Sequence, residues 1–176
     1  GLITEKGELC TPKTDVIDGL CDAVSTIHAL GHQVIVIHGA GSFGHLKARS
    51  WNLSHGRQEE GWRPDEHLDL HDQDDAVKSV RRDMRELNAL VVSSLNSHGI
   101  KTVVLPPRDW ASGTGPDFSG SLDGFRVSDE LVAVSFGDVV NVDGALEFGI
   151  LSGDDIVYRI AMEMAVEHTL FAMGGA

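Results

Sequence analysis

Cysteine, tyrosine and lysine are scarce in this 176-residue chain, which carries two, one and five of them. Two cysteines, Cys10 and Cys21, cannot staple a disulfide scaffold, and their spacing matches no metal knuckle. Both are read as reduced and structural. Cations are also few: 14 Lys plus Arg stand against 27 Asp plus Glu, for a net charge of −13. A surface that negative repels duplex nucleic acid and anionic lipid, so neither is expected as a partner. No apolar run reaches the ~18 residues that span a bilayer, and no basic stretch leads into an apolar segment at the start. A cytoplasmic location is expected. What remains is ordinary globular material, 41% hydrophobic and 23% charged, of a length that suits one domain. The 17 aspartates against five lysines also fit a protein kept soluble in concentrated salt.

Hydrophobic spacing supplies the elements. Val16, Ile17, Leu20, Val24, Ile27 and Leu30 recur at three- and four-residue steps after Thr14 or Asp15, and Gly31 stops the helix they predict. Val34-Ile35-Val36-Ile37 runs four β-branched residues together, the pattern of an interior parallel strand covered on both faces. A long helix is predicted from about Asp75 to Ser97. Thr102 to Leu105 and Leu131 to Val134 read as further buried strands. Val139 to Val142 and Ala145 to Ile150 flank Asp143-Gly144, a hairpin signal. A helix from about Asp154 to Glu167 and a strand from Thr169 to Met173 complete the reading. Alternating helices and strands predict a three-layer αβα sandwich with a mainly parallel sheet. Trp51 to Asp72 and Pro107 to Phe125 resist assignment and are read as functional loops or lids.

The chemistry concentrates at strand ends. His38-Gly39-Ala40-Gly41-Ser42-Phe43-Gly44-His45 follows the first strand and opens a helix, so its glycines let backbone N–H groups approach an anion at a helix start. A tight strand-to-helix turn alone would also use such glycines. Gly137-Asp138 and Ser152-Gly153-Asp154-Asp155 repeat the arrangement, and loops at the carboxyl ends of parallel strands gather on one ligand-binding edge. Helix capping accounts for Asp154 and Asp155 about as well as function does. His67 and His71 stand four apart, but with no third ligand evident no structural metal is expected.

The octad His38 to His45, Leu2-Ile3-Thr4-Glu5-Lys6, Arg82-Asp83-Met84, Gly137-Asp138-Val139-Val140 and Ile150-Leu151-Ser152-Gly153-Asp154-Asp155-Ile156 fall in one order across nearly the whole chain. Together they resemble the isopentenyl phosphate kinases of the amino acid kinase superfamily. The resemblance implies transfer of the γ-phosphoryl of ATP, with Mg²⁺, to isopentenyl phosphate, positioning and charge neutralisation being most of the work. It implies that His45 donates a hydrogen bond to the acceptor phosphate. Ala40 and Gly41 would offer backbone contacts to acceptor and ATP, and Gly39, Gly137 and Gly153 would complete the acceptor site. Lys6 would balance charge on the transferring phosphoryl and contact ATP, with Asp154 orienting the lysines. Val77, Val80 and Met84 are candidates for the prenyl pocket, although core packing explains that stripe too. A homodimer is also implied.

The chain departs from the family pattern at both ends. Family members begin with a strand and a Lys-x-Gly-Gly-Ser loop before the Ile-Thr, and they continue past residue 176 through a nucleotide lobe. Residues 1–176 therefore read as one domain, the acceptor-binding portion of the fold, with the first strand and nucleotide lobe missing from the sequence given. Gly174-Gly175 stands where the family usually carries Thr-Asp, and Phe136 where relatives often carry Tyr or His. Two alternatives stay open, a fosfomycin kinase-like enzyme and a non-catalytic phosphate-binding module.

Overall fold

A computed structural model describes residues 2–174; Gly1, Gly175 and Ala176 lie outside the described residues. Helix α1 (Thr14–Ala29) leads into strand β1 (Ile35–His38), which passes through the glycine loop into α2 (Gly41–Ser50). A short 3₁₀ turn and an irregular stretch precede the long helix α3 (Gln73–Ser97) and strand β2 (Lys101–Val104). The single turn α4 (Pro107–Trp110) and the two-residue strands β3 (Ala111–Ser112) and β4 (Ser119–Gly120) follow. Strands β5 (Leu131–Phe136), β6 (Asp138–Asn141) and β7 (Phe148–Leu151) then lead to helix α5 (Gly153–Glu163).

The parallel core is a three-stranded sheet in the order β1-β5-β2, with β5 in the middle. Side chains alternate across a strand, and β5 shows it: Val132, Val134 and Phe136 face one core, Ala133 the other. The first core holds α1, α2 and α3 through Cys21, Phe43, Val80, Met84 and Leu87. The second is closed by Ile156 and Ile160 of α5 with Phe118 and Phe125. That is the expected αβα sandwich. A second, mixed sheet, β4-β3-β6-β7, adjoins it. No described helix is long and apolar enough to cross a membrane.

Several expectations change. Strand β1 is not interior among the described residues: it pairs only with β5, and Ile35 to Ile37 are half-buried. Strand β2 is likewise an edge, with Val104 exposed. The two strands flanking Asp143-Gly144 do pair, but the register Asn141↔Phe148 leaves a six-residue connection with a 3₁₀ turn at Gly144–Leu146. Asp-Gly therefore starts a wider loop instead of forming a two-residue turn. Residues 169–173 form no strand, having no partner strand among the described residues, and Leu170, Phe171 and Met173 are exposed. Helix α5 also stops at Glu163, four residues before the expected end. The two stretches read as loops contain local structure, since Trp51 and Leu53 are fully buried and Pro107 to Phe125 holds α4, β3, β4 and a 3₁₀ turn.

Candidate active site

Three turns meet at the carboxyl edge of the parallel sheet. Beyond β5, the Gly137 N–H donates to the His38 carbonyl at 3.1 Å. A Cβ on Gly137 would lie 3.2 Å from the Gly153 nitrogen, and one on Gly153 would lie 3.4 Å from the His38 carbonyl. A side chain at either position would press on neighbouring backbone. The structure thus brings Gly39, Ala40, Gly41, Gly137 and Gly153 together around one edge.

Helix α2 begins with no side-chain cap of its own, its N-cap being Ala40. The first four N–H groups of an α-helix have no partner within the helix. One is met by Thr4, a fully buried residue from the start of the chain, whose Oγ1 accepts from the Ser42 N–H at 3.0 Å. The same oxygen explains Gly41: that residue has φ +48°, and a Cβ there would sit 2.1 Å from Thr4 Oγ1. The Ala40 and Gly41 N–H groups make no such contact with a described residue, and the positive end of the helix dipole favours an anion beside them.

The segment before α1 holds Thr4 in place. Thr4 bridges Pro12, Glu5 N–H donates to Thr11, and Cys10 and Thr11 N–H groups donate to the carbonyl and hydroxyl of Ser42. Lys6 lies in the exposed turn this segment makes and forms no ion pair with a described residue. His45, in the second turn of α2, is exposed, and partial desolvation holds its pKa below the ordinary histidine value. Its neutral ring still carries one N–H donor.

His38 is buried and stacked on Phe136 at 5.3 Å between centroids. Burial lowers its pKa, so the ring is neutral with one proton to place. Nδ1 lies 3.1 Å from the Gly39 carbonyl, which can only accept, so Nδ1 donates there. Nε2 lies 3.2 Å from Asn88 Oδ1, and with the ring proton on Nδ1 this pair is a hydrogen bond when the Asn88 amide is turned so that its NH₂ group donates to Nε2. A hydrogen bond thus runs from α3 through His38 to the glycine loop.

Ser152 caps α5 by accepting from the Asp155 N–H at 3.0 Å while its hydroxyl donates to the Asp155 carboxylate at 2.7 Å. Of the two aspartates, Asp155 is therefore the one engaged in the Ser152 cap. Asp154 is exposed beside it and bonds to no described side chain, leaving its carboxylate for a ligand. Asp138, next to Gly137, is 3% exposed, and burial pushes its pKa up to about 6.

Val77, Val80 and Met84 lie in the core. Met84 Sδ and a Val80 methyl would meet a Cβ on Gly44 at 3.4 and 3.7 Å, so these two residues floor the glycine loop. Helix α2 is bolted to α3 beneath it by a buried pair: Lys47 donates to Asp83 and, at 2.8 Å, to Ser79. Asp83 also accepts from Arg82 at 3.2 Å and from the Cys10 thiol at 3.5 Å. Sequence reasoning missed Thr4, Lys47, Ser79 and Asn88, because each acts through a partner far along the chain. Among the described residues no three His, Cys, Asp or Glu side chains gather as a metal site.

This architecture, a glycine loop and two glycine turns at the carboxyl edge of a parallel αβα sheet, has a counterpart in sequence. The Amino acid kinase family matches residues 3–174, and the chain belongs to that family. It is 29% identical over 163 residues to the isopentenyl phosphate kinase of Thermoplasma acidophilum, covering 91% of this chain and 58% of that protein. The isopentenyl phosphate kinase of Methanocaldococcus jannaschii is 28% identical over 142 residues, 80% of this chain and 50% of that one. The chain thus spans about half the length of the curated relatives it matches. A crystal structure of an isopentenyl phosphate kinase substrate complex superposes with a TM-score of 0.73 at 28% identity, over 92% of this chain and 62% of that one.

Proposed function

We propose that this chain forms the acceptor side of an ATP-dependent kinase that phosphorylates isopentenyl phosphate to isopentenyl diphosphate. The observation that carries the reading is the N-terminus of α2, which has no local cap and leaves the Ala40 and Gly41 N–H groups without a described partner, set against the Gly137 and Gly153 turns with His45 one turn further on. The relatives' printed names supply the acceptor.

An acceptor phosphate oxygen attacks the γ-phosphorus of ATP, the bond to the β-phosphate oxygen breaks, and ADP leaves. Such a transfer needs alignment and charge neutralisation more than covalent help. The Ala40 N–H holds the acceptor phosphate, the Gly41 N–H the nucleotide phosphates, and Gly39, Gly137 and Gly153 leave room for both to approach backbone. His45 donates its single ring N–H to the acceptor phosphate. Lys6 offsets charge on the moving phosphoryl group and contacts ATP, while Asp154 orients cationic groups around it. Mg²⁺ is bound through one or two carboxylates plus substrate phosphates rather than an all-protein cage, a requirement that the free carboxylate of Asp154 fits. Bound there, the ion would neutralise phosphate charge. Val80 and Met84, extended by Val77, give the apolar wall for the isoprenoid chain beneath the glycine loop. No residue of this chain is assigned to the adenine or ribose. A cytoplasmic homodimer accompanies the reading.

The test is ADP release by the intact protein with ATP, Mg²⁺ and a panel of isopentenyl phosphate, dimethylallyl phosphate and fosfomycin. The expected result is the highest kcat/KM for isopentenyl phosphate. Turnover of fosfomycin alone assigns the other branch of the fold, and no turnover with any acceptor overturns the kinase reading.

A further inference from the structure

Five of the chain's 14 cations gather in one place away from the glycine loop. Lys78, Arg81, Arg82 and Arg85 recur at three- and four-residue steps along α3, which puts them on one face, and Arg108 of α4 joins them. They line an open basin of about 510 Å³ with Glu86 the lining acid, in a protein whose net charge is −13. Like charges at this helical spacing repel, so the stripe costs the isolated helix some stability.

Local acids do not neutralise it. Arg85 and Arg108 share one carboxylate, Asp109, at 4.0 and 3.5 Å. Arg82 reaches Asp83, which already holds Lys47, and Glu86 only at 3.9 Å. Lys78 forms no ion pair with a described residue. Arg81 is the positioning member: its Nε donates to the Val139 carbonyl at 2.8 Å and its Nη2 to Asn141 at 3.1 Å, fixing the basin floor to β6. Arg82 and Arg85 side chains remain 65% and 52% exposed, so their guanidinium groups are open to a ligand. Arginine forks suit phosphate oxygens, and a basin of this volume holds a compact multiply charged anion.

We propose that this basin is a second anion site, taking an oligophosphate or another ligand with at least two phosphate groups, and that it shares no residue with the glycine-loop site. Because it lies outside the residues assigned to phosphoryl transfer, it stands whether or not the acceptor is isopentenyl phosphate.

The experiment titrates inorganic tripolyphosphate into the intact protein at low salt, read by calorimetry and by amide chemical shifts. Two sets of shifts are expected, one on residues 39–45 and one on residues 78–89 and 108. In the Lys78→Gln/Arg85→Gln double variant, the second set should vanish or need at least tenfold more tripolyphosphate, while the glycine-loop set is unchanged. Arg108→Gln, on a different element, should weaken the same set. Absence of the second set in the wild-type protein overturns the proposal, as does its persistence in both variants. A variant that alters the sedimentation coefficient yet binds tripolyphosphate as before also overturns it, assigning the basin to a second copy of the chain.

Discussion

The two helices that start at the candidate active site solve the same problem in opposite ways. Helix α5 is closed by its own neighbours, Ser152 and Asp155, within one turn. Helix α2 has no local cap and borrows Thr4 from 38 residues earlier. The local cap of α5 meets the Asp155 N–H and leaves the Asp154 carboxylate exposed at the site. A helix end capped from a distance at one N–H keeps others for an anion. The first turn of α2 carries no acid and that of α5 carries two, Asp154 and Asp155, so under the proposed function the first suits phosphate and the second its counter-cations.

The hardest test of this contrast is Gly41→Ala. It adds a methyl group at positive φ in the space held by Thr4 and should cost more than about 3 kcal/mol, read as the urea midpoint. Unchanged stability would refute the close approach of Thr4 to α2. His45→Ala should leave the midpoint in place but lower kcat/KM by about 3 kcal/mol, roughly a hundredfold, if its ring meets the acceptor phosphate. Asp154→Asn should behave the same way in sign, lowering turnover without moving the midpoint, because the cap runs between Ser152 and Asp155.

Asp138 sharpens the comparison through pH. Its native pKa, about 6, lies above the ordinary 3.8, so the folded state holds the proton more tightly than the unfolded chain. Its contribution favours folding at low pH and is lost as pH climbs from about 4 to about 6, a change of about 2–3 kcal/mol. Asp138→Asn should flatten that stretch of the stability profile; an unaltered slope would place the titration elsewhere. Thr4→Ala should cost about 1–2 kcal/mol by leaving the Ser42 N–H unpaired in a buried place, with Thr4→Ser close to wild type. Ser152→Ala, removing the local cap, should cost about 1 kcal/mol, the smallest of these effects.

Local pattern carried a good deal of this structure. Stripes of apolar residues located α1 and α3, and the run Val34 to Ile37 located β1, within two residues at most ends. Pairing was not legible, because apolar alternation does not say which strand lies alongside. Hence β1 was expected in the sheet interior, and Thr169 to Met173 was expected as a strand although no described strand lies beside it. The Asp143-Gly144 signal indicated a turn but not its width, since Glu147, at φ +59°, lengthens the connection. At the site, the glycines were visible because their spacing is local. Thr4, Asn88 and the Lys47–Asp83 pair were invisible because a threonine, an asparagine and a lysine look the same wherever they point. Even the double aspartate at 154 and 155 needed coordinates to show which member caps.

The remote cap on α2 also bears on the order of assembly. A contact between residues 4 and 42 carries the entropy of closing the loop between them, whereas the contacts that build α1 and the first turns of α2 are short-range. The glycine loop can reach its final shape only when the first segment has docked, after the helices it joins have formed. Amide exchange should follow that order, with Ser42 losing protection before the middle of α3 does. The Thr4-capped end of α2 is on this order the latest part of its layer to set and the earliest to loosen.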